Sequence, residues 1–120
     1  MPKKILRANW SEDIELLEEF VVLLLTKSNQ VKGLFRASRG GLSGTVVDAK
    51  IIFAVALKSV ASAMILAHNH PSGCLQPSQS DIELTKRLRT LGNLLDLPIL
   101  DHLILAPHAG YYSFADEGLL

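Results

Sequence analysis

The residues best equipped for chemistry lie between His68 and Asp81. His68 and His70 close an apolar run, residues 62–67, that reads as a buried strand. Residues i and i+2 of a strand point to one face, so the two imidazoles can converge. Pro71-Ser72-Gly73 then turns the chain sharply, and Pro77-Ser78-Gln79-Ser80-Asp81 opens a helix that can bring a carboxylate back towards them. Two imidazoles and one carboxylate make a three-ligand set that leaves a fourth tetrahedral position for water. That is the pattern of catalytic zinc, whereas structural zinc fills all four positions with protein. Zinc lowers the pKa of bound water to about 7, so a nucleophile exists at neutral pH. Ser78 and Asp81 ahead of an apolar helix also spell a capping box. The two roles are compatible, because one carboxylate can cap a helix and face a metal. The full spacing, His-x-His with Ser eight and Asp eleven residues beyond His70, is more specific than either half.

The elements that must position these residues follow from periodicity and punctuation. Leu84, Leu88, Leu91 and Leu95 recur at helical steps and predict an amphipathic helix, stopped by Pro98. Residues 99–105 read as the next strand, 107–110 as a turn, and 111–114 as a short final strand. Upstream, Ser11 can cap a short helix with Glu12, Asp13 and Glu15 at its positive end and Ile14, Leu17 and Val21 on its apolar side. Residues 20–25 are continuously apolar and short, which suits a strand buried on both faces. Residues 27–30 turn and 31–37 return as a hairpin strand. Arg39-Gly40-Gly41 and Ser43-Gly44 mark a loop. Asp48 can cap a helix to about Val60, with Ile51, Ile52, Val55 and Ala56 on one side. The prediction is one α/β domain over residues 1–120, with a mixed sheet packed against helices and residues 1–10 as a flexible N-terminal segment.

Composition narrows the function classes. The chain has 120 residues, 12 basic and 12 acidic, so a general polyanion-binding surface is not expected. Lys27, Lys32, Arg36 and Arg39 form a local basic stretch whose simplest reading is a solvated hairpin face. Cys74 is the only cysteine, which excludes an internal disulfide and a Cys-rich zinc finger. No apolar run approaches the ~18 residues of a membrane span, and the start has no signal-peptide core. A cytoplasmic protein is expected.

His68-Asn69-His70, seven residues, Ser78, two residues and Asp81 match the H-x-H-x7-S-x2-D signature of JAMM/MPN+ zinc metallopeptidases. The wider text HNHPSG, PSQSD, LTKRL, LDHLI and YYSFADEGLL resembles the JAB domain of bacterial RadC-like proteins, from about residue 12 to the end. The resemblance implies a JAB/MPN-type domain of cytidine-deaminase-like layout. It implies one zinc on His68, His70 and Asp81, with hydrolysis of a peptide or isopeptide bond in a peptide or protein substrate. In that family a Glu at the junction of the first helix and the next strand is the general base. Here the junction is Leu17-Glu18-Glu19-Phe20, and an E-x-F match selects Glu18, with Glu19 as the alternative. A one-residue slip at the strand start would exchange them. The resemblance also gives Ser78 the oxyanion-stabilising role.

Other residues carry lesser expectations. Cys74 is close enough to approach a metal, though a small loop residue is the simpler reading. Asp101 and His102 point to opposite faces of a strand, so His102 reads as a hydrogen-bonded core histidine supporting the site. His108 falls in an exposed turn, and Ser38, Gly40 and Gly41 resemble the family's S-x-G-G loop. The alternative function is a non-catalytic JAB-fold scaffold associated with DNA repair. RadC-like proteins carry an N-terminal DNA-binding-like region that these residues do not resemble, so direct nucleic-acid binding is not expected. Nucleobase deamination is set aside because its H-x-E and P-C-x-x-C pattern is absent. Oligomeric state stays open at this level.

Overall fold

The computed structural model describes residues 2–40, 47–108 and 110–120. Gly41, Ser43 and Gly44 of the expected loop, and Ala109 of the 107–110 turn, lie outside the described residues.

Among the described residues five strands form one mixed sheet in the order β2-β1-β3-β4-β5. They are β1 (Glu19–Leu25), β2 (Val31–Arg39), β3 (Ala63–Asn69), β4 (Ile99–Leu105) and β5 (Tyr111–Ser113). β1 pairs antiparallel with both β2 and β3, β3 runs parallel to β4, and β4 pairs antiparallel with β5. Among the described residues three helices accompany the sheet: α1 (Pro2–Ala8), α2 (Ala49–Lys58) and α3 (Gln79–Leu94). The parallel step needs a crossover, and α3 supplies it.

The continuous apolar runs are explained by burial on both faces. Every residue of β1 and β3 is buried. On one face Phe20, Val22, Leu24, Met64 and Leu66 pack with Ile52, Phe53 and Ala56 of α2 and Leu88 of α3. On the other, Val21, Leu23, Leu25, Ile65 and Ala67 pack with Leu6 of α1.

Four local expectations are corrected. Of the expected flexible segment 1–10, residues 2–10 are not a free extension: α1 buries Leu6, and Arg7 donates to Ala106 O at 3.0 Å and Gly110 O at 2.6 Å. The reason is the second apolar face of the sheet, which α1 covers. Residues 12–16 form turns rather than the expected helix. Ser11 Oγ accepts from Asp13 N at 2.9 Å and Leu17 N bonds Asp13 O at 2.9 Å, one turn's worth of structure. A helix that short is marginal alone, and its carbonyls at Ile14 and Leu17 are taken by Asn69. Asp48 caps α2 by accepting from Lys50 N, but the buried face carries Phe53 while Ile51 is 49% exposed. α3 ends at Leu94, four residues short of Pro98, because Asp96 turns back with φ 55°.

Candidate metal centre

The start of β1, the end of β3 and the first turn of α3 meet at one corner of the sheet. Phe20 pairs with His68 across β1 and β3, and the two rings stack 6.0 Å apart. Strand alternation places residue 18 on the side of Phe20 and residue 19 on the opposite side.

His68 Nε2 and His70 Nε2 lie 2.9 Å apart. Asp81 Oδ2 stands 3.4 Å from the first and 3.3 Å from the second. Glu18 Oε1 is 3.8 Å from His70 Nε2, and the donor atoms of Glu18, His68 and His70 all lie within 4.8 Å of one another. Two carboxylates and two imidazoles therefore face one point.

Each group is held from behind. His70 Nδ1 donates to Cys74 O at 2.7 Å, which fixes its proton, since a carbonyl only accepts. Asp81 Oδ2 accepts from Ser78 N at 2.8 Å while Ser78 Oγ accepts from Asp81 N at 3.0 Å, so the expected capping box is present. His68 Nδ1 meets His102 Nε2 at 2.8 Å, and His102 Nδ1 meets Thr85 Oγ1 at 2.6 Å. Asn69, fully buried between the two histidines, clamps the segment that carries Glu18. Its Oδ1 accepts from Glu19 N at 2.7 Å, and its Nδ2 donates to Ile14 O and Leu17 O at 2.8 and 2.9 Å.

The electrostatics match this crowding. Burial pushes the Asp81 carboxyl upward, but the His68 and His70 imidazoles beside it outweigh that effect and hold the group far below the usual carboxylate range. The hydrogen bond to Asp81 raises the His70 pKa, against an opposing effect of burial. Burial drives His102 well below its ordinary value, with the neighbouring His68 adding to the effect, so His102 is neutral.

The donor set fits a small divalent metal. Bonds of about 2.0–2.1 Å from imidazole nitrogen and carboxylate oxygen put tetrahedral ligand atoms about 3.3–3.4 Å apart. The His68, His70 and Asp81 atoms form a triangle with sides of 2.9, 3.4 and 3.3 Å. A Glu-His-His set is equally able to hold such an ion.

The remaining sequence candidates separate. Glu19 is buried and paired with Arg36 at 3.0 Å and Arg39 at 3.4 Å, away from the histidines. Those contacts also use half of the basic stretch internally. Cys74 contributes its carbonyl and leaves its side chain exposed. His108 is exposed, with Nε2 3.0 Å from Glu15 Oε1. Asp101 accepts from His102 N, Ser113 Oγ and Ala115 N, which pins the C-terminal segment. Ser38 pairs with Phe20, and Gly40 N donates to Glu18 O at 2.9 Å. Sequence reasoning passed over Asn69 and Thr85. The available signals were a polar residue within an all-buried strand and a threonine on the leucine face of α3.

A JAB-type domain is the class that this sheet, its helices and the His-x-His corner define. The chain belongs to the RadC-like JAB domain family, whose model matches residues 2–119. It is similar to a UPF0758 protein of Flavobacterium johnsoniae, 50% identical over 102 residues, which is 85% of this chain and 44% of the relative. A UPF0758 protein of Porphyromonas gingivalis is 48% identical over 103 residues, covering 86% of this chain and 45% of the relative. One from Symbiobacterium thermophilum is 42% identical over 104 residues, 87% and 44% of the two chains. The chain thus spans less than half the length of these curated relatives. Among the described residues no helix is long and apolar enough to cross a membrane.

Proposed function

We propose that this domain is a zinc-dependent hydrolase of peptide or isopeptide bonds, with His68, His70 and Asp81 as ligands. The observation that carries the reading is the triangle of donor atoms, whose sides of 2.9–3.4 Å suit tetrahedral zinc, with a second carboxylate 3.8 Å from one corner. Zinc held there supplies Lewis acidity toward a scissile carbonyl and makes water acidic enough to lose a proton near neutral pH. Glu18 is the group that takes that proton and returns it to the leaving amine. Its backbone is fixed by Gly40 N on its own carbonyl and by Asn69 on both sides. Ser78 Oγ already accepts from Asp81 N, so its own proton is free to donate to a developing oxyanion. The substrate class is a peptide or protein.

The test is hydrolysis of a broad peptide and isopeptide panel by zinc-loaded protein, with Glu18→Gln and Glu19→Gln beside it. Glu18→Gln should keep its metal and lose roughly 10²–10⁴-fold in turnover. Glu19→Gln should retain turnover, because Glu19 faces Arg36 and Arg39. Equal activity of Glu18→Gln and the natural chain would sink the base assignment. Silence across the panel with zinc bound would leave a non-catalytic scaffold as the better account.

A further inference from the structure

We infer that Thr85 and His102 form a positioning relay that fixes His68 in its Nδ1–H tautomer and so leaves Nε2 bare as a ligand atom. The inference rests on the metal-site reading above and extends it to two residues that touch neither substrate nor metal. Three short contacts run in series: Thr85 Oγ1 to Asp81 O at 2.7 Å, Thr85 Oγ1 to His102 Nδ1 at 2.6 Å, and His102 Nε2 to His68 Nδ1 at 2.8 Å.

Proton counting orders the series. Asp81 O is a backbone carbonyl and can only accept, so the single Thr85 hydroxyl proton points to it. Thr85 Oγ1 must then accept from His102 Nδ1–H. The His102 ring is fully buried, and among the described residues its nitrogens meet only Thr85 and His68, with no carboxylate to balance a second proton. Its one proton therefore sits at Nδ1, and His68 Nδ1–H donates into the lone pair at Nε2. The opposite order would turn the hydroxyl towards His102 and leave two oxygen lone pairs facing each other at 2.7 Å. Thr85, His102 and His68 are 1%, 0% and 2% exposed, so no water can take over a lost partner.

The same order leaves His68 Nε2 as a lone pair, and the Nδ1 bond to Cys74 O gives a neutral His70 a second one 2.9 Å away, beside the Asp81 carboxylate. A proton on His70 relieves that arrangement in the metal-free chain, and a divalent cation bound between the lone pairs and the carboxylate would do so in its place. The relay starts on the carbonyl of Asp81 itself, so one residue sets the proton of His68 through its backbone and faces the same point with its side chain. Packing keeps the relay straight: His102 stacks on Phe114 with centroids 4.6 Å apart, and Phe20 meets its edge at 5.5 Å.

The experiment has two arms on the full chain. Nitrogen-15 NMR of the metal-free protein should show His102 protonated at Nδ1 and bare at Nε2. Zinc affinity is measured by chelator competition for the natural chain, Thr85→Val and Thr85→Ser. Thr85→Val keeps the shape but removes the acceptor. It should shift His102 towards the Nε2–H form and weaken zinc about 10–100-fold, as loss of an orienting partner does. Thr85→Ser should restore both. A purely structural threonine would lower the melting temperature of Thr85→Val without altering the tautomer. An unprotonated His102 Nδ1 in the natural chain, or undiminished zinc affinity in Thr85→Val, would overturn the relay. If Thr85→Val fails to fold, the natural chain's spectrum still decides. Absence of hydrolysis, by contrast, bears only on the proposed reaction and leaves the tautomer result standing.

Discussion

Asp81 caps α3 and is the proposed carboxylate ligand, and a single substitution separates the two roles. Asp81→Asn keeps an oxygen that accepts from Ser78 N and a backbone N–H that donates to Ser78 Oγ, so the capping box survives. It removes the negative charge 3.4 and 3.3 Å from the two imidazoles. Zinc at about 100 times its Kd stabilises the natural fold by about 2.7 kcal/mol. Loss of a ligand should cost at least the ~100-fold upper range of an outer-shell change, which leaves zinc near its Kd and worth about 0.4 kcal/mol. For a domain of this length 1 kcal/mol moves the melting temperature by roughly 3–5 °C. Differential scanning calorimetry should therefore show zinc raising the natural melting temperature by roughly 8–13 °C and that of Asp81→Asn by only about 1–2 °C. Without zinc, Asp81→Ala should fall below Asp81→Asn by about 1 kcal/mol, the contribution of the lost cap. If Asp81→Asn kept the full zinc-induced rise, Asp81 would be a cap alone, and Glu18 would be the carboxylate ligand that completes the pair of histidines.

Two further outcomes follow from the geometry. In metal-free protein His70 has a raised pKa, so its pairing with Asp81 stabilises the fold fully below the ordinary imidazole value of 6.5 and is lost as pH rises through the folded pKa. His102 is lowered and refuses a proton that the unfolded chain accepts, so stability also falls as pH drops below 6.5, by up to about 1.4 kcal/mol per pH unit. Urea titrations should place the stability maximum near pH ~6.5; a monotonic rise from pH ~5 to pH ~8 would contradict the His70 assignment, and a monotonic fall would contradict that of His102. Separately, a Cβ on Gly92 would stand 2.4 Å from Leu97 O, in a turn closed by the 2.7 Å bond from Leu97 N to Gly92 O. Gly92→Ala should destabilise by about 1–3 kcal/mol despite the better helix propensity of Ala, while zinc affinity holds. An unchanged or raised denaturation midpoint would refute the close approach.

The legible parts of the fold are those whose signals are local. Three apolar runs became β1, β3 and β4, and Ser78 with Asp81 announced the start of α3. The illegible parts depend on partners far along the chain. Nothing within residues 2–8 says that Arg7 will meet the carbonyl of Ala106, 99 positions away. The acidic segment after Ser11 has every local mark of a helix start. It stays a set of turns because Asn69, more than 50 positions downstream, takes the carbonyls of Ile14 and Leu17. Tertiary hydrogen bonds overrode a short helix that could not stabilise itself.

The candidate site divides along the same line. His68, His70, Ser78 and Asp81 sit within fourteen consecutive residues, so their spacing alone suggests the constellation. The choice between Glu18 and Glu19 belongs to the register of β1 against β3, which no local pattern fixes. Here the register is locked by several contacts that agree. Phe20 stacks on His68, Asn69 accepts from Glu19 N, and the Glu19 carboxylate is drawn to the other side of the sheet by Arg36 and Arg39. A slip of one residue would break all of these and bury Phe20 on the face where Arg36 stands. The glutamate facing the histidines is thus selected by what its neighbour needs: Glu19 has two guanidinium partners on the far side, and Glu18 is left to the histidine corner.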